Sequence, residues 1–271
     1  MTDLGKMRYF LGIEVLQGCN GIFIGQKKYI KEILDRYNML DCNLVKNPIV
    51  PGIKLLETDQ GVEVDSTLFK QLVGSLMYLT ATRPDIAHYI SLISHFMEHP
   101  KDKHFLAAKR ILRYLQGTQN LGIFYKAGGN EELLAYTDSD YAGDLDNRKS
   151  TSGYAFMLGD GKQPVVSLST TEAEFIAAAL CACQYVWLRR ILEHLDYCQK
   201  GATVMFRDNA STIKLSKNPV LHGRCKHIDV RFYFLRDLCN DGVIQLNYCN
   251  TGEQLADIMT KLLKVESFQH L

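Results

Sequence analysis

A chain of 271 residues, 46% hydrophobic and 23% charged, has the composition of a folded protein of one large domain or two ordinary ones, not of a disordered or fibrous chain. It has no bilayer-length apolar run, no signal peptide in MTDLGKMRYF and no CxxC pair among its eight cysteines. This argues against a membrane partner, a disulfide framework and a zinc ribbon, and for an intracellular protein, cytoplasmic or nuclear. Net charge is only +1, but residues 1–129 carry 16 basic against 12 acidic side chains and residues 130–271 carry 15 against 18. A mildly basic front and an acidic back suit a nucleic-acid-contacting part joined to a cation-binding one.

In chain order, MRYFLGIEVL (7–16) and IFIG (22–25) predict a β-hairpin turned at Asn20-Gly21. A helix over 26–39 follows, with Ile30, Ile33, Leu34 and Tyr37 on one face. Residues 40–66, with Pro48, Pro51 and Gly52, read as a loop. The next helix, LFKQLVGSLMYLTA, ends near Arg83-Pro84, because a residue before proline avoids the α region. Pro84 suits the first turn of a third helix, DIAHYISLISHFME. A fourth, KHFLAAKRILRYLQG, carries Lys103, His104, Lys109, Arg110 and Arg113 and stops at Gly117.

After GIFY and KAGGN the pattern changes to alternating β and α, which places a domain boundary between 1–129 and 130–271. LLAYTDSDYAG and SGYAFMLG read as strands. Residues 169–195 form a long helix opened by a Ser169/Glu172 capping box, with Ile176, Leu180, Cys183, Trp187 and Ile191 as its apolar stripe. TVMFRDN is a strand, STIKLSKN a short helix, HIDVRFYFLRDLC a helix and VIQLNYC a strand. TGEQLADIMTKLL (251–263) closes the pattern as a helix with a Thr251/Gln254 capping box.

Four acidic residues sit where this order of elements could bring them together. Asp138 and Asp208 end strands, and the carboxyl ends of neighbouring strands are where open α/β sheets place their sites. Glu174 lies in the first turns of the long helix, and Asp257 lies in the last helix. Four carboxylates would make an oxygen-rich cage for hard cations, and two such ions can drive phosphodiester hydrolysis. Each residue also has a local reading: Asp208 as a helix cap, Asp138 and Asp140 as turn formers, Glu174 and Asp257 as solvated helix surface.

The motifs YTDSDYAGDLDNRKSTSGYAFMLG, KQPVVSLSTTEAEFIAAA, RDNASTIKLSKNP, KHIDVRFYFLRD and EQLADIMTK resemble the ribonuclease H domain of copia-type LTR retrotransposon Pol polyproteins. MRYFLGIEV, GIFIGQKKYIKEIL, LVGSLMYLTATRPDIAHYIS and AAKRILRYLQGT are similar to the reverse-transcriptase segment that follows the palm. The resemblance implies an α/β fold: a ribonuclease H-like mixed sheet with flanking helices, preceded by a mainly helical thumb- or connection-like region with a β-hairpin. It implies endonucleolytic cutting of the RNA strand of RNA–DNA hybrids with two Mg²⁺ ions, or Mn²⁺, held by Asp138, Glu174, Asp208 and Asp257. Other parts of a Pol polyprotein would be its partners.

Hybrid contacts would fall to Lys109, Arg110 and Arg113 on the basic helix, and to Arg224, Lys226 and His227 in HGRCKHID. A zinc site from His222, Cys225 and His227 is the rival reading of that run. The sequence departs from the family in three ways. It has no paired-aspartate polymerase motif, its C-terminus at VESFQHL is shortened, and LGDGKQPVV lacks the family's tryptophan-containing strand. The last departure predicts a missing edge strand and weakened catalysis, and leaves as the alternative a remnant that only binds nucleic acid.

Overall fold

A computed structural model of the chain describes residues 5–57, 60–128, 132–140, 150–158, 171–199, 201–209, 213 and 229–270. Of residues 158, 171, 172, 175 and 229–232 it describes the backbone only. The chain divides into two compact units, Met1–Gly128 with Leu262–Phe268, and Gly129–Lys261 with Gln269–Leu271.

In the first unit, β1 (Tyr9–Phe10), β2 (Ile13–Gly18), β3 (Gly21–Gly25) and β4 (Ile123–Lys126) form an antiparallel sheet in that order. The strand expected over 7–16 is broken at Leu11-Gly12, whose φ values of 46° and 78° make a mirror-image two-residue turn. The β2–β3 turn is Cys19-Asn20 rather than Asn20-Gly21, because Gly18 pairs with Gly21. Gly21 has φ 145°, and a Cβ there would run into the Tyr125 carbonyl of β4.

The helices of this unit are α1 (Lys27–Arg36), α2 (Ser66–Leu79), α3 (Ala87–Ser94) and α4 (Asp102–Gly117). Ile30, Ile33, Phe69, Leu72, Leu76, Ile111 and Leu115 are fully buried among them. Asp65 accepts hydrogen bonds from the Thr67 and Leu68 amides, so α2 starts two residues earlier than its apolar pattern. The Arg83-Pro84 break is fixed by the buried Arg83 guanidinium, which forks onto Asp85 at 2.9 and 2.7 Å and donates to the Thr118 carbonyl. His104 is core: its Nδ1 accepts from the Lys101 amide and its ring stacks on Phe96.

The second unit holds β5 (Leu133–Ser139), β6 (Ser152–Leu158), α5 (Thr171–His194), β7 (Thr203–Arg207), α6 (Asp229–Asn240) and β8 (Ile244–Tyr248). The strand order is β6-β5-β7-β8, with β6 antiparallel to β5 and the remaining pairs parallel. This is the ribonuclease H-like mixed sheet. All seven residues of β5 are buried, as its position between two neighbours and two covered faces requires. Leu133 and Ala135 face a core with Ala178, Cys181, Tyr185, Met205 and Leu246, while Leu134 and Tyr136 pack on the other face with Ala256.

Two expectations fail here. The stripe assigned to α5 points outward: Leu180, Trp187 and Ile191 are 44%, 57% and 37% exposed, and Cys183 is exposed as well. The buried face is Ala178, Cys181, Ala182 and Tyr185, and the first three are small residues that let the helix lie close to β5. The helix expected over 251–263 is instead two 3-10 turns, Thr251–Glu253 and Leu255–Met259, followed by a short helix α7 (Val265–His270). Gln254 interrupts it with extended backbone, its side chain accepting from the Ala256 amide and donating to the Thr137 carbonyl. The Ser169/Glu172 box, the helix STIKLSKN apart from Ile213, and the segment 159–170 with the expected strand deletion lie outside the described residues.

Candidate metal centre

Asp138 is the second-last residue of β5, Asp208 follows the last residue of β7, and Asp257 sits in the second 3-10 turn. β5 and β7 are adjacent and parallel, so their carboxyl ends coincide, and the turn packs against the same end of β5 through the Gln254–Thr137 bond. One ligand oxygen from each carboxylate lies within 4.8 Å of the others, and all three residues are buried. Among the described residues, this is the group of His, Cys, Asp or Glu side chains placed to hold a metal ion.

Burying three carboxylates together is electrostatically costly. Burial, and then the Asp138 charge, push the Asp257 carboxyl up to about 7 against the pull of Lys261. The same two causes, in the same order, raise Asp208. Burial with these carboxylates nearby pushes the Cys249 thiol up to about 12. Several donors partly offset the cost. Thr251 Oγ1 donates to Asp208 Oδ2 at 3.2 Å, which is where the hydroxyl expected to cap a helix is used. Thr260 Oγ1 donates to Asp138 Oδ2. Lys261 Nζ lies 2.7 Å from Asp257 Oδ1 and 3.2 Å from Asp138 Oδ2. An all-oxygen donor set that still strains against its own charge fits a hard divalent cation.

Glu174 is placed beside this cluster and not in it. It stands on the buried face of α5, one turn before Ala178, and is buried itself. Its Oε1 accepts from Asn209 Nδ2 at 3.1 Å, and its Oε2 lies 3.5 Å from Arg207 Nη2, which also donates to the Glu174 carbonyl. Arg207 is fully buried, and its Nε and Nη1 have no hydrogen-bond partner. Burial lowers the Arg207 pKa and raises that of Glu174, so desolvation outweighs the attraction of the pair on both sides. Asp140, in contrast, continues the β5–β6 pairing by one residue: its Oδ1 accepts the Thr151 amide at 2.5 Å and its own amide donates to the Thr151 carbonyl at 3.0 Å.

Of the basic residues, Lys109 Nζ lies 4.7 Å from the centre of the Phe105 ring. Arg110 donates to Asn47 Oδ1 at 2.6 Å and Arg113 to the Asn43 carbonyl at 2.7 Å, so both brace the loop before α2. Arg224, Lys226 and His227 lie outside the described residues, as do His222 and Cys225 of the zinc reading. Sequence reasoning missed Lys261, Thr251, Thr260, Arg207 and Asn209. Lys261 carried a signal, since it follows Asp257 by four residues, the spacing of a helical ion pair.

The family model described as "Reverse transcriptase (RNA-dependent DNA polymerase)" matches residues 1–51. The Retrovirus-related Pol polyprotein from transposon RE1 of Arabidopsis thaliana is 38% identical over 277 residues, covering 100% of this chain and 19% of that protein. The Retrovirus-related Pol polyprotein from transposon TNT 1-94 of Nicotiana tabacum is 38% identical over 286 residues, covering 99% of this chain and 21% of that protein. The uncharacterized mitochondrial protein AtMg00810 of Arabidopsis thaliana is 37% identical over 195 residues, covering 69% of this chain and 80% of that protein. The chain thus spans about a fifth of the length of the Pol polyproteins it matches. It belongs to the copia-type LTR-retrotransposon Pol polyprotein family and carries that family's reverse-transcriptase and ribonuclease H-like sequence.

Proposed function

We propose that this chain cleaves the RNA strand of RNA–DNA hybrids endonucleolytically, as part of a Pol polyprotein. Residues 1–129 serve as a post-palm reverse-transcriptase region and residues 130–271 as the ribonuclease H-like domain. The observation that carries this reading is the convergence of three buried carboxylates at the ends of two adjacent parallel strands and a packed turn. Asp138, Asp208 and Asp257 would hold Mg²⁺, or Mn²⁺, with Glu174 as the fourth carboxylate of a two-ion site. When bound, such ions supply an activated water and stabilise the leaving oxygen in phosphodiester hydrolysis.

The chain's own residues do the positioning. Thr260 orients the Asp138 carboxylate and Thr251 that of Asp208, so each presents a fixed oxygen to the site. Burial of the cluster lowers the effective dielectric around it and strengthens every charge interaction within it. Phosphate contact with the hybrid falls to Lys109, Arg110, Arg113, Arg224, Lys226 and His227. Lys109 leads on α4, because Arg110 and Arg113 are already bonded to the loop.

A second reading, a nucleic-acid-binding remnant with weak or no catalysis, is favoured by one feature. Glu174 is committed to Arg207 and Asn209, leaving three carboxylates together rather than four. Cleavage by the purified protein of RNA–DNA hybrid, duplex RNA and duplex DNA, with and without Mg²⁺, separates the readings. Mg²⁺-dependent cutting confined to the hybrid supports the enzyme. Hybrid binding without cutting supports the remnant.

A further inference from the structure

Lys261 occupies the oxygens that a metal ion would use. Its ammonium contacts Asp257 Oδ1 at 2.7 Å and Asp138 Oδ2 at 3.2 Å, two of the three carboxylates of the cluster. Its backbone amide donates to the Asp257 carbonyl at 2.9 Å, which anchors the residue one turn beyond that aspartate. Its side chain is 33% exposed, unlike the carboxylates it bridges. A lysine head is a compact charge on a flexible four-carbon stem, so it can leave the cluster for solvent while its backbone stays in place.

We propose that Lys261 is a built-in counter-cation of the metal-free site. It pairs with Asp138 and Asp257 until a divalent ion enters, gives up those oxygens to the ion, and so sets the affinity of the site for metal. This rests on the reading of Asp138, Asp208 and Asp257 as metal ligands. The reasoning is one of charge and lone pairs. Three neighbouring carboxylates without a cation repel one another, and the ammonium relieves part of that repulsion when the ion is absent. The ion and the ammonium cannot share the same lone pairs, so entry of one weakens the hold of the other. Lys261 is therefore a positioning residue, stabilising the empty cluster and opposing its loading.

The test is Mn²⁺ binding, followed by titration calorimetry and by the loss of the free-ion electron paramagnetic resonance signal, in the full chain and in Lys261→Gln and Lys261→Arg. Removing one positive charge from the cluster should tighten Mn²⁺ binding roughly tenfold in Lys261→Gln, whereas Lys261→Arg, which keeps the charge, stays near the parent. Melting in EDTA supplies a readout that does not depend on catalysis. Lys261→Gln should melt lower than the parent in EDTA, and saturating Mn²⁺ should close the gap. Equal or weaker Mn²⁺ binding in Lys261→Gln overturns the proposal while leaving the metal site standing. Absence of Mn²⁺ binding in the parent and both variants overturns the metal site, and this proposal with it.

Discussion

Gly153 pairs with Asp138 across the β5–β6 ladder and leaves open the space into which the Asp257 turn packs. A Cβ on residue 153 would lie 2.6 Å from Thr260 Cγ2 and 2.7 Å from Met259 Cβ, too close for either atom to stay where it is. The turn delivering Asp257, Thr260 and Lys261 thus reaches the sheet because β6 has no side chain there. Gly153→Ala should displace that turn, cost about 1–3 kcal/mol and weaken Mn²⁺ binding. Urea unfolding and Mn²⁺ titration check this, and unchanged values in both would show that the turn is held by other contacts.

The buried Arg207–Glu174 pair should behave as a coupled unit. Removing one partner leaves the other charge buried and uncompensated, a loss of about 3–5 kcal/mol. Arg207→Met and Glu174→Gln should each destabilise strongly, and the double variant should lose much less than the sum of the two. Additive losses in a double-mutant cycle would contradict the pairing.

Metal-free stability should fall as pH rises. Asp257 is raised from its ordinary 3.8 to about 7, and Asp208 and Glu174 are also raised. The folded state then holds protons that the unfolded chain has released, so stability is greatest below the unfolded values and is lost through the folded ones. Lys261 is raised above its ordinary 10.5, so its contribution persists throughout this window. In EDTA the urea midpoint should drop between about pH 4 and about pH 7, and Mn²⁺ should flatten the drop because it binds the deprotonated carboxylates. A midpoint that rises with pH in EDTA is the contrary result.

On α4, structural and contact roles should separate. Arg110→Ala breaks a bond to Asn47 and should cost about 1 kcal/mol. Lys109→Ala should change stability by less than about 0.5 kcal/mol, yet reduce the salt dependence of hybrid binding by about 0.7–0.9 in log–log slope. Thermal melting and hybrid titration at several salt concentrations distinguish the two. The reverse assignment of effects would shift the binding surface off Lys109.

The places where sequence misled share a physical cause. Strand β5 is legible because a short continuous apolar run fits a strand covered on both faces, and its terminal Asp138 falls at the end where such sheets place their sites. On α5 two faces repeat at helical spacing, one of large residues and one of Ala178, Cys181 and Ala182. The sheet takes the face whose small residues allow close approach of helix to strand, with Tyr185 buried at its far end. Glu174 lies one turn before Ala178 on that small face, but its engagement with Arg207 is illegible, because that partner comes from β7 and meets it only in the folded sheet. The final segment has helical spacing, yet Thr251 turns its hydroxyl to Asp208 and Gln254 sends its amide to Thr137. Tertiary demands at the cluster thus override the local helix signal.

The most direct test of the account is Mg²⁺-dependent cleavage of an RNA–DNA hybrid by the parent chain and by Asp138→Asn, with hybrid binding measured in parallel. The amide preserves the shape of the side chain while removing the charge that holds a divalent ion. The parent should cut the RNA strand only with Mg²⁺, and Asp138→Asn should bind hybrid as well as the parent but not cut it. Equal cleavage by the two proteins would contradict the account.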